Sequence, residues 1–344
     1  MTKNVEKQFF ELYPDAFQNY IIEYLEGTLQ KSAPQDLKNT LEKQYEEFKL
    51  IHEENYAWFS NDLFTHNILA NIIEGADEEI KEELEKVWIG KLNDNKVNAT
   101  AHTINPDFEG YLISLDSELD FLLHNVCNTF AGEMVMCTNK DEKYHSAIFL
   151  LFFSNYISLP DLNEQALFIR DNLLSPEIVK KLNNAACAAL VAATTFIIAH
   201  EIGHHFMKHT EVNNEFIAQY RDMHVRGGNI NHEYEYSADD FAIDLMLKNK
   251  KYLPDGYMGI EYLAGPLLVM LTLAFEDSEP HLACNSHPSI KDRFKNIKNR
   301  IASAHKDEEV VEALFALMNR MIEFINDSVK RGQPKRWNDK EWWK

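Results

Sequence analysis

The residues of this sequence that are best suited to chemistry, by type and by spacing, are His200-Glu201-Ile202-Gly203-His204. The two histidines are four residues apart, so on a helix both imidazoles lie on one face and can bind a single metal ion. Glu201 stands beside the first histidine, where its carboxylate can take a proton from a metal-bound water. The same five-residue pattern also occurs by chance, so a solvated polar turn is the alternative interpretation.

The residues before this motif favour a buried helix over a solvated turn. Residues 185–199 are almost entirely apolar, and the apolar character continues on every side of the predicted helix until His200. A helix that is apolar all round is a buried helix, where unpaired polar side chains are costly. A Ser-Pro pair at 175–176 is a typical helix start, whereas the Asn-Asn pair at 183–184 either interrupts that helix or caps the next one.

A second helix, predicted over residues 231–248, carries two carboxylates on its apolar side. Glu235 and Asp239 lie one turn apart, next to a stripe of apolar residues with helical spacing. Buried carboxylates need a metal ion or a hydrogen-bonded cation as partner. A catalytic zinc ion uses three protein ligands and a water, so Glu235 can complete the pair of histidines. The other standard completion, Gly at 207 and His at 210, fails because the sequence has Met207 and Thr210.

Three motifs in this order resemble the gluzincin metallopeptidases of the HtpX and CAAX-prenyl-protease type. The resemblance extends over about residues 150–300 and implies a zincin-like fold. The segments that carry it are H-E-x-G-H at 200–204, E-x-x-A-D at 235–239, H-P-x-x-x-x-R at 287–293, and two upstream segments at 155–160 and 168–174 that are similar to the family's N-A-F-x-L-P and G-L-L regions.

The resemblance implies a zinc-dependent endopeptidase that hydrolyses peptide bonds of an intracellular protein. His200, His204 and Glu235 would hold Zn²⁺, and Glu201 would act as the general base. Asp239 would orient one of the ligand imidazoles from behind. The alternative function is a regulatory or phage-defence protein whose zinc site is structural and whose surface binds a partner. The intact general base favours the enzyme.

Further roles near the site follow from the same resemblance. His287 or a nearby tyrosine would stabilise the oxyanion that forms during hydrolysis. The strand predicted at 166–170 would pair with an extended substrate. Arg293 would either tie its helix to the site or form a surface salt bridge. For the two other histidines near the first motif, we expect His205 to face away or to support a ligand and His209 to lie on the surface.

The fold class predicted from the pattern of elements is mainly α with a small β-sheet (α+β). We predict a helical N-terminal region at 1–95, a zincin-like metallopeptidase domain at 96–305, and a C-terminal helix with a basic, Trp-rich tail at 306–344. The elements outside the two motif helices are strands at 111–115, 155–160 and 166–170, and helices at 119–130, at 147–153, from Gly265-Pro266 to 275, from His287-Pro288 onwards and at 310–325.

Composition limits the partners and the cellular location. The net charge of −21 over 344 residues disfavours nucleic acid and anionic lipid as partners. Near the N-terminus we find no signal-peptide pattern, and the apolar runs at 185–199 and 264–275 are too short to span a bilayer. The four cysteines are far apart and are predicted to be buried free thiols. We therefore expect a cytoplasmic protein with no membrane span. The resemblance to soluble relatives with the same kind of site implies a role in defence or regulation.

Overall fold

The computed structural model describes residues 3–16, 39, 43, 62–92, 96–139, 174–211, 229–248, 259–277 and 279–332. This part of the chain is mainly helical with a small sheet, as the sequence predicts. Several predicted features lie outside the described residues: the strands at 155–160 and 166–170, the helix at 147–153, and the Trp-rich tail beyond residue 332. The predicted domain boundaries at 95 and 305 stay predictions.

Within the described residues, five short strands form two sheets. They are β1 (Lys3–Asn4), β2 (Val87–Leu92), β3 (Ala99–Ala101), β4 (Phe108–Glu109) and β5 (Tyr111–Asp116). The larger sheet has the order β2-β5-β3, in which β2 is parallel and β3 antiparallel to β5. Strand β1 pairs with β4 in parallel. Among the described residues, β3 is therefore an edge strand of the larger sheet.

Strand β5 confirms the strand predicted at 111–115, but β2 lies in a region that was predicted to be helical throughout. That prediction is wrong for residues 87–92. The first five residues of β2, including Lys91, are all buried, so both faces of the strand are covered and no alternation of apolar and polar residues shows in the sequence. Gly90 also leaves room for the ring of Phe9, since a Cβ there would lie 2.1 Å from that ring. The formation of this strand therefore depends on its pairing with β5 and on its packing against Phe9, which are contacts with residues distant in sequence.

Nine helices are described, and the longest of them is central to the structure. They are α1 (Val5–Leu12), α2 (Leu63–Gly75), α3 (Glu78–Leu84), α4 (Ser117–Asn139), α5 (Pro176–Phe206), α6 (Ile230–Lys248), α7 (Ile260–Glu276), α8 (Ile290–Ala304) and α9 (Glu308–Gly332). Helix α5 packs against α4, α6 and α7 and also contacts β3 and β5. This arrangement places the end of α5 between the helical core and the edge of the sheet.

Helix α5 is continuous, although the sequence left open an interruption at Asn183-Asn184. Ser175 caps its start by accepting a hydrogen bond from the backbone N–H of Ile178 at 3.4 Å. Both asparagines are exposed, so water satisfies their side chains and the helix continues through them. At 31 residues α5 is longer than the predicted apolar run, and by length and composition it could cross a membrane. Most of its apolar stretch is, however, buried inside the protein.

Two later helices begin at other residues than predicted. Helix α7 starts at Ile260 and contains Pro266 in its interior. The adjacent Gly265 lies against the backbone of Ala192 in α5, and this close packing accounts for a helix that continues through a proline. Helix α8 begins after Ser289, whose hydroxyl accepts a hydrogen bond from the N–H of Asp292 at 3.0 Å. The helices predicted at 119–130 and 310–325 are confirmed within α4 and α9.

The cysteines only partly match their prediction. The three that the structure describes, Cys127, Cys187 and Cys284, are free thiols. Cys127 is buried among the core residues of α4, and burial raises the pKa of its thiol. Cys187 and Cys284 are exposed, so their predicted burial is wrong. Cys187 lies on the solvent side of α5, where a small side chain does not interrupt the pattern of an apolar helix.

Candidate active site

Three possible metal ligands converge where α5 ends beside α6. The ring nitrogens Nε2 of His200 and His204 lie 3.1 Å apart. The two carboxylate oxygens of Glu235 lie 3.6 Å from Nε2 of His200 and 3.5 Å from Nε2 of His204. Gly203 permits this approach of the helices, since a Cβ there would lie 3.2 Å from the Cα of Ala238. The structure thus brings together the three residues predicted as metal ligands.

The ligand atoms of this cluster are close enough together to bind one metal ion, since one atom from each residue lies within 4.8 Å of the other two. Ligands bound to zinc at its usual distances lie roughly 3.3–3.6 Å from one another in a tetrahedron. The two histidine nitrogens are slightly closer than this at 3.1 Å, and each has a different carboxylate oxygen of Glu235 nearby, Oε2 at 3.6 Å from His200 and Oε1 at 3.5 Å from His204. Such a cluster of two imidazoles and a carboxylate could hold a metal ion. The donor set suits zinc but does not by itself identify the metal.

Two further buried charges lie behind the donors. Asp239 is fully buried and places Oδ1 3.0 Å from Nδ1 of His200. Arg293, on α8, donates from Nε and Nη2 to both carboxylate oxygens of Asp239 at 3.0 and 2.7 Å. Its Nη1 lies 2.9 Å from Glu235. The sequence left two roles open for Arg293, and the structure places it inside the protein, where it ties α8 to the site. The other predicted role of Arg293, a surface salt bridge, is wrong because its side chain is buried.

The charges of the cluster leave room for a cation. Glu201, Glu235 and Asp239 carry three carboxylates, which face a single guanidinium from Arg293. When all three carboxylates are ionised and both histidines are neutral, as metal ligands must be, two negative charges remain unbalanced in a buried region, which is unfavourable without a counterion. A divalent cation would neutralise this excess.

The two histidines differ in how readily they bind a proton. Burial lowers the pKa of His200, but hydrogen bonds to Asp239 and Glu235 outweigh burial and raise the pKa to about 10. Burial and the neighbouring His200 lower the pKa of His204 to about 3. Burial raises the pKa of the Glu235 and Asp239 carboxyls. The neighbouring Arg293 and His200 outweigh burial and hold both pKa values below the usual range.

Glu201 lies on the other side of the donors, against the edge strand. One of its carboxylate oxygens accepts a hydrogen bond from the backbone N–H of Ala101 in β3 at 2.6 Å. Burial raises the pKa of this carboxyl. The sequence contained no signal for the contact with Ala101, because the two residues are 100 positions apart.

His287 stands at the edge of the same cavity and is mostly exposed. Its Nε2 lies 3.7 Å from a carboxylate oxygen of Glu235, and its Nδ1 lies 2.8 Å from the hydroxyl of Ser286. The loop that carries it is tied to α6 by a 2.7 Å contact between Nε2 of His232 and the carbonyl of Cys284. Hydrogen bonds from Ser286 and from the backbone of this loop lower the pKa of Cys284 to about 6. The structure brings His287 to the site, where its predicted role as an oxyanion stabiliser stays a prediction.

The remaining two histidines have different environments. His205 faces β5, where its ring contacts the carbonyl of Leu112 at 3.1 Å and the hydroxyl of Thr210 at 2.9 Å. The surface position predicted for His209 is wrong. Its Nδ1 lies 3.0 Å from Nδ1 of His204, and its ring stacks on Tyr234. Burial lowers the pKa of His209 to about 4. Its distance from the motif in sequence did not suggest this contact.

A cavity of about 1110 Å³ opens over these residues. One side is polar and contains the three possible metal ligands, Glu201, His209 and His287. Strand β3 forms another side together with the preceding Asn98. The third side is apolar and consists of Leu119, Phe196, Ile197, Val269, Met270, Leu273 and Ile290. A large concave pocket of this kind, with a few convergent polar groups, is typical of a binding site.

Comparison with known proteins identifies the kind of site. A protein-family model described as Peptidase U49 matches residues 131–315, which contain all the site residues named above except Asn98, Leu119 and those of strands β3 and β5. No curated protein and no solved structure matches the chain. A peptidase hydrolyses peptide bonds, so the substrate is a protein or a peptide. Because this family model covers more than half of the chain, the protein belongs to the Peptidase U49 family.

Proposed function

We propose that the protein is a zinc-dependent endopeptidase with a gluzincin site. The observation that carries the proposal is the convergence of His200, His204 and Glu235, which offer two imidazole nitrogens and a carboxylate oxygen within 4.8 Å of one another, the kind of ligand set that catalytic zinc sites use. When bound, zinc would polarise the scissile carbonyl and lower the pKa of the attacking water. The order of the three motifs supports a relationship with the HtpX and CAAX-prenyl-protease type of enzyme.

Glu201 would be the general base of this reaction. The backbone N–H of Ala101 holds one carboxylate oxygen at 2.6 Å and leaves the other to accept a proton. Burial raises the pKa of Glu201 towards the pH at which it would act, which makes proton transfer in both directions easier. Glu201 would therefore take a proton from the attacking water and deliver it to the nitrogen of the leaving amine.

Strand β3 would bind the substrate. Backbone groups of residues 98 and 102 face β5, since the carbonyl of Asn98 accepts from Asp116 and the N–H of His102 donates to Leu112. Both backbone groups of Ala99 and the carbonyl of Ala101 consequently point to the edge of the sheet that is free within the described residues and borders the cavity, whereas the N–H of Ala101 is bonded to Glu201. An extended peptide added to this edge would lie across the three metal ligands. The substrate-binding strand predicted at 166–170 lies outside the described residues and stays a prediction.

His287 would complete the site from the opposite side. Its ring is exposed to the cavity and lies close to Glu235, near the position where the oxygen of a scissile carbonyl would become charged. Ser286 contacts the other ring nitrogen at 2.8 Å and would fix the orientation of the imidazole. Tyr234 also borders the cavity, but its ring is stacked on His209.

The test compares the wild-type protein with Glu201→Gln. Metal analysis of the purified protein is expected to find one zinc ion per chain in both proteins, because Gln leaves all three ligands in place. On a peptide library from a digested proteome, read by mass spectrometry, the variant is expected to cleave about 10²–10⁴-fold more slowly. Glu177→Gln, on the exposed part of the same helix, is the matched control and should retain full activity. Wild-type protein without zinc, or cleavage by Glu201→Gln at the wild-type rate, would contradict the proposal.

A further inference from the structure

A third histidine contacts the metal ligands from behind. We infer that His209 is a positioning residue, which accepts a hydrogen bond from Nδ1 of His204 and so keeps Nε2 of His204 directed at the metal. The inference rests on the proposed zinc site and assigns to His204 the kind of outer partner that Asp239 is for His200.

The distance between the two rings requires a defined arrangement of protons. The two Nδ1 atoms lie 3.0 Å apart, so one of them must donate and the other must accept. A histidine that binds a metal through Nε2 uses the lone pair of that nitrogen and carries its proton on Nδ1. His204 is then the donor and His209 the acceptor. Metal ligands of this type nearly always donate their second N–H to an oriented acceptor, which fixes the ring.

The turn at the end of α5 is built to bring His209 back to His204. The N–H of His209 donates to the carbonyl of His204 at 2.9 Å, and the N–H of Lys208 donates to the carbonyl of His205 at 3.0 Å. These two bonds form a Schellman motif. Its left-handed position, with φ of 65°, is occupied by Lys208 where glycine is usual. The residue after that position folds back over the last turn of the helix, and here that residue is His209.

Contact with the second metal-binding helix fixes the plane of the His209 ring. The ring stacks on Tyr234, with centroids 4.0 Å apart and planes inclined by 19°. Tyr234 immediately precedes Glu235, so His209 spans the two helices that supply the metal ligands. The Nε2 atom of His209 is buried and has no hydrogen-bond partner within the described part of the chain. A phenylalanine would fill the same place without this unfavourable burial, so the nitrogen that faces His204 is the feature that requires histidine.

Two variants separate the acceptor from the ring. His209→Phe retains a ring that can stack on Tyr234 but removes the acceptor nitrogen. His209→Asn removes the ring but places an amide oxygen near the position of Nδ1. The probes are Zn²⁺, measured by competition with a chelator, and Co²⁺, whose visible absorption reports the ligand geometry. We expect His209→Phe to weaken zinc binding by about 10- to 100-fold and to change the cobalt spectrum. His209→Asn is expected to restore most of the affinity and the wild-type spectrum.

The outcomes distinguish this inference from the proposed function. If wild-type protein binds no stoichiometric zinc, the proposed function fails and the inference fails with it. If wild-type protein binds zinc and His209→Phe binds it equally tightly, the proposed function stands and the role of His209 is overturned. Equal weakening by both variants would also overturn it, because loss of the ring would then be the cause. Thermal unfolding of each metal-free variant checks that the fold is retained.

Discussion

The two histidines proposed as metal ligands have outer partners at the same distance but of opposite character. His200 contacts Asp239 at 3.0 Å, and behind Asp239 lies the guanidinium of Arg293. These partners come from α6 and α8, far away in sequence, and they are charged and buried. His204 contacts His209 at 3.0 Å. This partner lies five residues further along the chain, is uncharged, and is stacked on an aromatic ring.

This difference indicates what each side of the site contributes. The side of His200 couples the metal site to the folding of three helices, because its charges are satisfied only when α5, α6 and α8 are assembled. The side of His204 depends on a local turn and adds no charge. A site with a carboxylate behind both histidines would carry a further negative charge in the interior. A neutral acceptor orients His204 without adding to that charge.

The largest effect is expected from removal of the buried guanidinium. Arg293→Met leaves Asp239 and Glu235 buried without their cation, which should lower the free energy of unfolding by about 3–5 kcal/mol. The control is Arg300→Met on the same helix, because Arg300 pairs with Asp244 at the partly exposed surface. Its loss should cost less than about 1 kcal/mol. Urea denaturation of the metal-free proteins measures both, and equal losses would mean that the charged side does not hold the fold together.

A smaller effect is expected from the charge that faces His200. Asp239→Asn should weaken zinc binding by about 10- to 100-fold, because a neutral amide orients the imidazole less strongly than a carboxylate does. Its neighbour Asp240 points to Asn296 on α8, so Asp240→Asn should change the affinity by no more than a surface substitution does. Chelator competition gives both values. If Asp239→Asn bound zinc as tightly as the wild-type protein, the charge of Asp239 would not distinguish the side of His200 from the side of His204.

The pH dependence of metal binding should come from one histidine. With a pKa of about 10, His200 carries a proton in the metal-free protein, whereas His204, with a pKa of about 3, is already neutral. Binding must therefore displace the proton of His200, so the affinity should rise by about tenfold per unit between pH 7 and pH 8. Calorimetry in two buffers with different heats of ionisation should find one proton released per metal ion. Release of two protons would show that His204 is protonated as well.

The smallest effect concerns the turn on the side of His204. Lys208 has a left-handed backbone conformation that glycine adopts without steric cost. Lys208→Gly should therefore raise the free energy of unfolding by roughly 0.5–1 kcal/mol and leave the zinc affinity unchanged. Lys208→Val should lower both, because a β-branched residue resists this conformation and the turn that places His209 would be disturbed. If the free energy of unfolding of both variants were unchanged, the backbone conformation at residue 208 would have no influence on stability.

Much of the site could be predicted because it depends on local periodicity. The spacing of His200 and His204 defines one helical face, and the position of Glu235 and Asp239 beside an apolar stripe defines another. Ser175 and Pro176 start α5 by local chemistry alone. These features need only the 3.6-residue repeat and capping, which short stretches of sequence contain in full.

Which groups contact these predicted site residues was decided only by the tertiary structure. The sequence by itself determined the helices, the inward residues and the class of chemistry, since these follow from neighbours along the chain. It did not determine strand β2, the contact of Ala101 with Glu201, or the burial of Arg293, since each depends on segments that are distant in sequence. His209 is a local neighbour of His204, yet its position requires a backbone conformation that lysine rarely adopts. The turn is closed by local hydrogen bonds, but the stacking of His209 on Tyr234 joins it to α6, and no short stretch of sequence specifies that contact.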